Sequence, residues 1–168
     1  MRYAFLLVSL LGSFALMMGC GSVDGQPRYA DDDNGETKEG ERQMVDDTVG
    51  GYLEKRLVSS EFGGTIGCAY EEAGEEWDGD RGNWYGWVFC LEVLEDGSDG
   101  TGISLPVALR LERKDEGIQV TGHETPEDGS GYEESFRRLF PDSVRDRLTR
   151  ENIDLDRLER EARKRADS

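Results

Sequence analysis

Asp78, Asp80 and Asn83 bracket a glycine-rich turn, and carboxylates placed this way are the hard oxygen donors that calcium takes in sets of about six to eight. The spacing lacks the acidic ladder, central glycine and closing glutamate of a helix–loop–helix calcium loop. Asp96-Gly97-Ser98-Asp99-Gly100 is incomplete in the same way, so both read first as hairpin turns and the metal question stays open. Glu71-Glu72 and Glu75-Glu76 offer carboxylate pairs for general acid–base work, as glycoside cleavage uses. With 37 Asp and Glu in 168 residues, no pair stands out by type alone. His123 is the only histidine. A triad or a zinc site needs further well-placed partners, and alternation sets His123 on a strand face with Gln119 and Thr121, near the surface. Trp77, Trp84, Tyr85 and Trp87 cluster along one segment. Trp87 has the spacing of a core residue. Trp84 falls on the opposite face near the turn, and is the expected exposed ligand contact. No phosphate loop, nucleophile elbow or zinc signature is present, and no cofactor is expected.

Positioning these residues is the task of strands. Thr65 to Glu76 and Asn83 to Glu95 flank the turn Asp78-Gly79-Asp80-Arg81-Gly82. In the second strand Tyr85, Trp87, Phe89, Leu91 and Val93 alternate onto one face. A third strand, Ile103 to Leu111, sets Ile103, Leu105, Val107, Leu109 and Leu111 on one side with a period of two. A fourth, Gly117 to His123, turns Ile118 and Val120 inward. Val45, Val49, Tyr52, Leu53 and Leu57 share one helical face within 44–60, although Gly50-Gly51 weakens that helix by about 1 kcal/mol for each glycine. Tyr132 to Leu139 forms a short helix, Pro141 opens another through Val144 and Leu148, and Asp154 to Ala166 a last one. The thin apolar stripe of that last helix, Leu155, Leu158 and Ala162, predicts weak docking or projection.

Cys68 and Cys90 test the hairpin. They are equidistant from Gly79, so they face one another if the turn centres there. Turn chemistry and cysteine spacing thus agree on one register and one disulfide, which suits an oxidising compartment.

Upstream, an apolar run from Tyr3 to Met18 follows Arg2, the layout of a secretory signal. At 16 residues it is shorter than the roughly 20 that span a bilayer. It ends in Met17-Met18-Gly19-Cys20. This resembles the lipobox of bacterial lipoprotein signals, with Met17 and Met18 standing where the pattern has Leu and a small residue. The resemblance implies cleavage after Gly19 and lipid on Cys20, anchoring the chain outside the cytoplasmic membrane; each buried methylene contributes about 0.8 kcal/mol. Residues 20–42 are rich in Gly, Asp and Glu and read as a disordered acidic tether. The globular part is expected over 43–150, with 151–168 as a separate charged helix.

The net charge is −17, with the acids concentrated before the C-terminal helices. Such a surface excludes a nucleic-acid partner, which needs basic phosphate contacts, and gives no electrostatic route to anionic lipid. Attachment then falls to Cys20.

A second resemblance begins at Gly100. Gly102-Ile103-Ser104-Leu105-Pro106-Val107-Ala108-Leu109, Pro126 with Asp128-Gly129-Ser130 and Tyr132, and Phe140-Pro141 are similar to a pattern in uncharacterised secreted proteins of Gram-positive bacteria. It implies a shared fold and no activity. The expected architecture is α+β: an N-terminal helix, a four-stranded antiparallel meander with helices on one face, and C-terminal helices, with cystatin-like and NTF2-like folds as the nearest analogies. The expected function is a non-enzymatic envelope module that binds a protein, peptide or glycan. A carboxylate-dependent hydrolase of envelope material and a structural or cation-binding surface protein are the alternatives.

Overall fold

The computed structural model describes residues 34–168. The signal, Cys20 and the first part of the tether lie outside the described residues. Helix α1 runs Asn34–Arg56, followed by strands β1 (Thr65–Asp78), β2 (Arg81–Val93), β3 (Asp99–Lys114) and β4 (Gly117–Glu124), then helices α2 (Tyr132–Leu139), α3 (Asp142–Arg145) and α4 (Leu155–Ala166). The strands form one antiparallel sheet in the order β1-β2-β3-β4. The fold is α+β, as the alternating and helical patterns predict. Among the described residues no helix is long and apolar enough to cross a membrane.

Both sheet faces are covered, not one. Val45, Val49 and Leu53 of α1 pack with Cys68, Trp84, Val88, Cys90, Val107, Leu109 and Leu111 on one side. Tyr85, Trp87 and Ala69 pack with Phe140, Val144, Leu148, Leu158 and Ala162 on the other. The reason lies in the β2–β3 register. Trp84 stands opposite Leu109 and Val88 opposite Leu105. The apolar row of β3 therefore shares a face with the even-numbered residues of β2, while the aromatic row Tyr85, Trp87, Phe89 points the other way. Two apolar faces need two layers of helix.

The strand ends shift by up to four residues, and the helices differ from the sequence reading in three places. Residues 34–42, read as tether, belong to α1 in the structure, where Lys38 to Gln43 are solvent-exposed. An acidic helix turn exposed on all sides has no apolar periodicity to reveal it. Helix α4 is not a projecting appendage: it buries Leu158, Ala162 and Ala166 and lies against β1 and β2, with the Asp154 side chain capping its first turn by accepting from Arg157 N–H at 2.9 Å. Its narrow stripe suffices because small residues let it approach the sheet closely. Finally, the helix expected from Pro141 through Leu148 shortens to one turn in α3 and continues as irregular turns.

Cys68 and Cys90 are paired directly across β1 and β2 and joined by a disulfide, with Cα atoms 4.1 Å apart. The register is symmetric about Gly79 from Thr65 to Glu72; beyond an extra residue at Ala73 it shifts by one, as the two-residue turn Gly79-Asp80 demands. Replacing both cysteines by alanine is expected to cost about 3 kcal/mol on the chain-entropy estimate. Guanidinium unfolding of the oxidised protein, its reduced form and the double variant measures this, and equal midpoints for all three contradict it.

Candidate functional site

An open cleft of about 630 Å³ lies where α2 faces the first half of β3. That volume is in the range of small-ligand and peptide sites. Trp87, Ser104 and Pro106 form its floor, Tyr132, Phe136, Leu148 and Thr149 its walls, and Asp128 and Glu133 its rim. The strand period puts Trp87, Ser104 and Pro106 on one face: Trp87 pairs with Pro106, and its Nε1 donates to Ser104 Oγ at 3.0 Å. The Trp87 ring is held by that bond, so its orientation is fixed before any ligand arrives.

Helix α2 carries the other wall. Tyr132 and Phe136 are one turn apart and stack, with ring centroids 5.7 Å apart and planes 12° from parallel. Phe136 in turn rests on buried Phe140, at 5.0 Å between centroids. Ser135, buried on the same helix, accepts from Glu127 N–H at 2.8 Å and lies 2.8 Å from Gly131 O. One hydroxyl thus ties the rim loop to the helix start. Tyr132 stays 40% exposed, one of three large hydrophobic residues that do so among the described residues. Partial burial holds its phenol above the usual pKa, so it acts as a neutral hydrogen-bonding group. Phe136 packs inward, leaving Tyr132 to offer the accessible aromatic surface.

The structure corrects the reading of Trp84. Its side chain is fully buried between α1 and the sheet, edge-on to Tyr70 at 5.3 Å. The face opposite Trp87 is itself a core face, covered by α1, so the exposed contact falls to Tyr132 instead. Trp84 Nε1 is buried without a hydrogen-bond partner; the Glu72 carboxyl lies close enough to feel the indole N–H but not in bonding geometry.

His123 also moves. An extra residue at Thr121 shifts the β3–β4 register, so His123 pairs with Leu109 on the α1 face. It shares that face with Ile118 and Val120, not with Gln119 and Thr121. Its Nδ1 lies 2.9 Å from Tyr52 Oη, a contact that seats α1 on β4.

The paired carboxylates are divided between the two faces. Glu71 binds Arg157 of α4 at 2.8 Å, and Glu76 accepts from Tyr85 Oη at 3.4 Å. The Ala73 bulge sets Glu72 and Glu75 together on the α1 side, in a smaller hollow of about 280 Å³ with Lys38, Arg42, Trp77 and Arg113. Burial, and then the neighbouring Glu75 charge, raise the Glu72 pKa. Glu72 is nonetheless an exposed residue by surface area, so solvent screens that effect. Arg113 sits over the Trp77 ring at 3.8 Å.

The acidic turns behave as turns. Gly79 has φ 58 between Asp78 and Asp80. Asp96 Oδ1 accepts from Ser98 N–H at 3.0 Å and from the Ser98 hydroxyl. Among the described residues no cluster of three or more His, Cys, Asp or Glu has the geometry to hold a metal ion.

No family model, curated protein or solved structure matches this chain.

Sequence reasoning missed Glu92. It is the one buried acid among the described residues, at 0% exposure. Its carboxylate accepts from Ser60 Oγ (2.6 Å) and from the backbone N–H groups of Phe62 (3.0 Å), Gly64 (2.9 Å), Thr101 (3.1 Å) and Glu61 (3.3 Å). The Ser60 hydroxyl first, then backbone N–H groups, overcome the cost of burial and hold its pKa at about 2. It is sealed mainly by the loop that it binds. The signal was an acid inside the apolar run Phe89-Cys90-Leu91-Glu92-Val93.

Proposed function

We propose that this protein is an extracytoplasmic lipoprotein, anchored through Cys20, whose domain is a non-enzymatic binding module of the cell envelope. The observation that carries the binding reading is the aromatic, acid-rimmed cleft built on Trp87, Tyr132 and Phe136. It has a pre-set floor, an accessible aromatic wall and rim carboxylates. The segment on which the resemblance to Gram-positive secreted proteins rests, Gly102–Leu109, Asp128–Ser130 and Tyr132, supplies much of that floor and wall. Ligands for such a surface are protein, peptide or glycan; the acidic rim and the net charge of −17 disfavour nucleic acid.

Tyr132→Ala is the test of the cleft. Recovery of bound material from solubilised envelope, using the full chain as bait, falls about tenfold or more when an anchoring aromatic is lost. Thermal stability stays within about 1 kcal/mol, because the side chain is half out of the core. Unchanged recovery removes the cleft from the site.

The anchor has its own test. Cells fed a labelled fatty acid incorporate it into the protein, and Cys20→Ala abolishes both incorporation and membrane retention. Label and membrane retention that survive Cys20→Ala contradict the lipoprotein reading.

A second reading has one observation behind it: the Glu72–Glu75 pair, with the raised Glu72 pKa, in the hollow under α1. A hydrolase using it loses turnover of envelope material in Glu72→Gln while keeping its fold. Its exposure and the surrounding arginines favour the binding module over it.

A further inference from the structure

The sheet has a vacancy beside the cleft. Strand β3 pairs with β2 from Asp99 to Glu112, but β4 covers only Ala108 to Lys114 on the other side. The first half of β3 is therefore an edge. The reason is in the sequence: continuing the register past the Ala108↔Glu124 pair sets Pro126 opposite Pro106. Two residues without N–H groups face each other there, and the ladder stops.

The direction of the open backbone groups follows from one hydrogen bond. Arg113 N–H donates to Asp80 O, on the β2 side, at 2.8 Å. The β2–β3 register is unbroken from there back to Gly102. Odd-numbered residues of β3 thus address β2, and even-numbered ones address the vacancy. The N–H and C=O of Gly102 and Ser104 point into it, and both residues are exposed, whereas Pro106 beyond them is buried.

Elsewhere the fold covers its edges with side chains, as soluble sheets must. On β1, Arg165 donates to Cys68 O at 2.8 Å and Arg147 to Ala73 O at 3.2 Å. On β4, Thr48 Oγ1 donates to Ile118 O at 3.4 Å. Among the described residues no side chain does this for Gly102 or Ser104; the side-chain hydrogen bond at Ser104 is the one from Trp87 to its hydroxyl. The uncovered stretch reaches the cleft floor at Ser104.

We propose that the cleft takes an extended, basic peptide segment of a partner protein, which adds to the sheet as a strand beside Gly102 and Ser104. The proposal rests on the binding reading above and names its ligand. The added strand lies in line with β4. Backbone hydrogen bonds to Gly102 and Ser104 supply affinity, and alternate side chains enter the cleft to supply specificity. The charge of those side chains follows from the lining: Asp128 and Glu133 are present and no base is. Glu133 is shared with Arg137 on the surface of α2, and Asp128 forms no ion pair among the described residues. A lysine or arginine there meets the Asp128 carboxylate and the Tyr132 ring face. The net charge of −17 disfavours a second copy of the chain as occupant.

The probe is a labelled ten-residue peptide alternating Lys with Val, followed by fluorescence polarisation with the full chain in detergent. The parent peptide binds. Replacing its lysines by glutamates weakens binding about tenfold or more, and so does Gly102→Pro. N-methylating every second residue abolishes binding in one frame and spares it in the other, because only one edge of the added strand meets β3. This arm alters nothing in the protein, so it stands even if Gly102→Pro fails to fold. Equal binding by both N-methylated frames overturns strand addition. Failure of the parent peptide, with envelope capture still dependent on Tyr132, overturns the peptide ligand and leaves the cleft as the site. If peptide binding and envelope capture both ignore Tyr132→Ala, the binding reading falls too. A concentration-dependent dimer abolished by Gly102→Pro, without peptide binding, places a second copy at this edge and overturns the proposal.

Discussion

Gly67→Val lowers stability by about 3 kcal/mol or more and loosens α4 from the sheet. Gly67 faces α4 from β1, and the helix crosses it at Ala162 and Ala166. A Cβ on Gly67 would stand 2.0 Å from Ala162 O and 2.5 Å from Ala166 N. Both obstacles are backbone, so no side-chain rotation relieves the clash. The helix must move outward by more than an ångström, and three things leave with it. Leu158, buried at 0% exposure, loses its seat. Arg165 leaves Cys68 O, uncovering the β1 edge. The ion pairs of Arg157 with Glu71 and of Arg163 with Asp99 stretch; being partly exposed, these contribute little beside the lost packing. The expected thermal midpoint falls by roughly 10 °C. Trypsin cuts the arginine-rich α4 early in the variant and late in the parent protein. A midpoint within 2 °C of the parent, with α4 equally protected, contradicts this close crossing.

Glu92→Gln is the second large effect. The loop Ser60–Gly64 and the start of β3 converge on one carboxylate, which accepts from four backbone N–H groups and a hydroxyl. Glutamine keeps the shape but exchanges one accepting oxygen for an NH₂ that faces N–H donors. Buried donors are then left unpaired and opposed. The midpoint falls by roughly 10 °C or more, and the loop carrying Phe62, 66% exposed, loses its hold. The parent protein shows the same dependence in acid. Because the folded pKa of Glu92 is depressed to about 2, its stabilising contribution is fully present above the unfolded value near 4.5. That contribution declines as pH falls from there toward 2. Thermal unfolding between pH 6 and pH 2.5 shows a stability loss in the parent that is smaller in Glu92→Gln. Parallel pH profiles for the two proteins count against the carboxylate as the anchor.

The strands, the disulfide and three of the helices were legible because each rests on a local pattern. Alternation marks Tyr85 to Val93 and Ile103 to Leu111, and equal spacing about Gly79 pairs Cys68 with Cys90. What local pattern does not carry is parity between strands. Centring the second turn between Asp96 and Gly97 sets Trp84 opposite Leu109, and this alone assigns Trp84 to a core face. The bulges at Ala73 and Thr121 are invisible for the same reason. One extra residue reverses every side chain beyond it, moving Glu75 beside Glu72 and His123 beside Val120. The cleft was hidden at a further level. Tyr132 and Phe136 read as the ordinary apolar side of a short helix, and only the halt of β4 at facing prolines leaves β3 open beneath them.

The three tryptophans make the cleft directly testable without substitution. Their indole N–H groups occupy three environments: Trp87 in the cleft floor on Ser104, Trp84 sealed under α1, and Trp77 under Arg113 on the far side of the sheet. In nitrogen–proton NMR of the labelled protein, titrated with the Lys–Val peptide or with envelope material that it captures, the Trp87 resonance is expected to shift while those of Trp84 and Trp77 hold still. A shift at Trp77 with Trp87 unmoved would place the ligand in the Glu72–Glu75 hollow and rule out the cleft as the binding site.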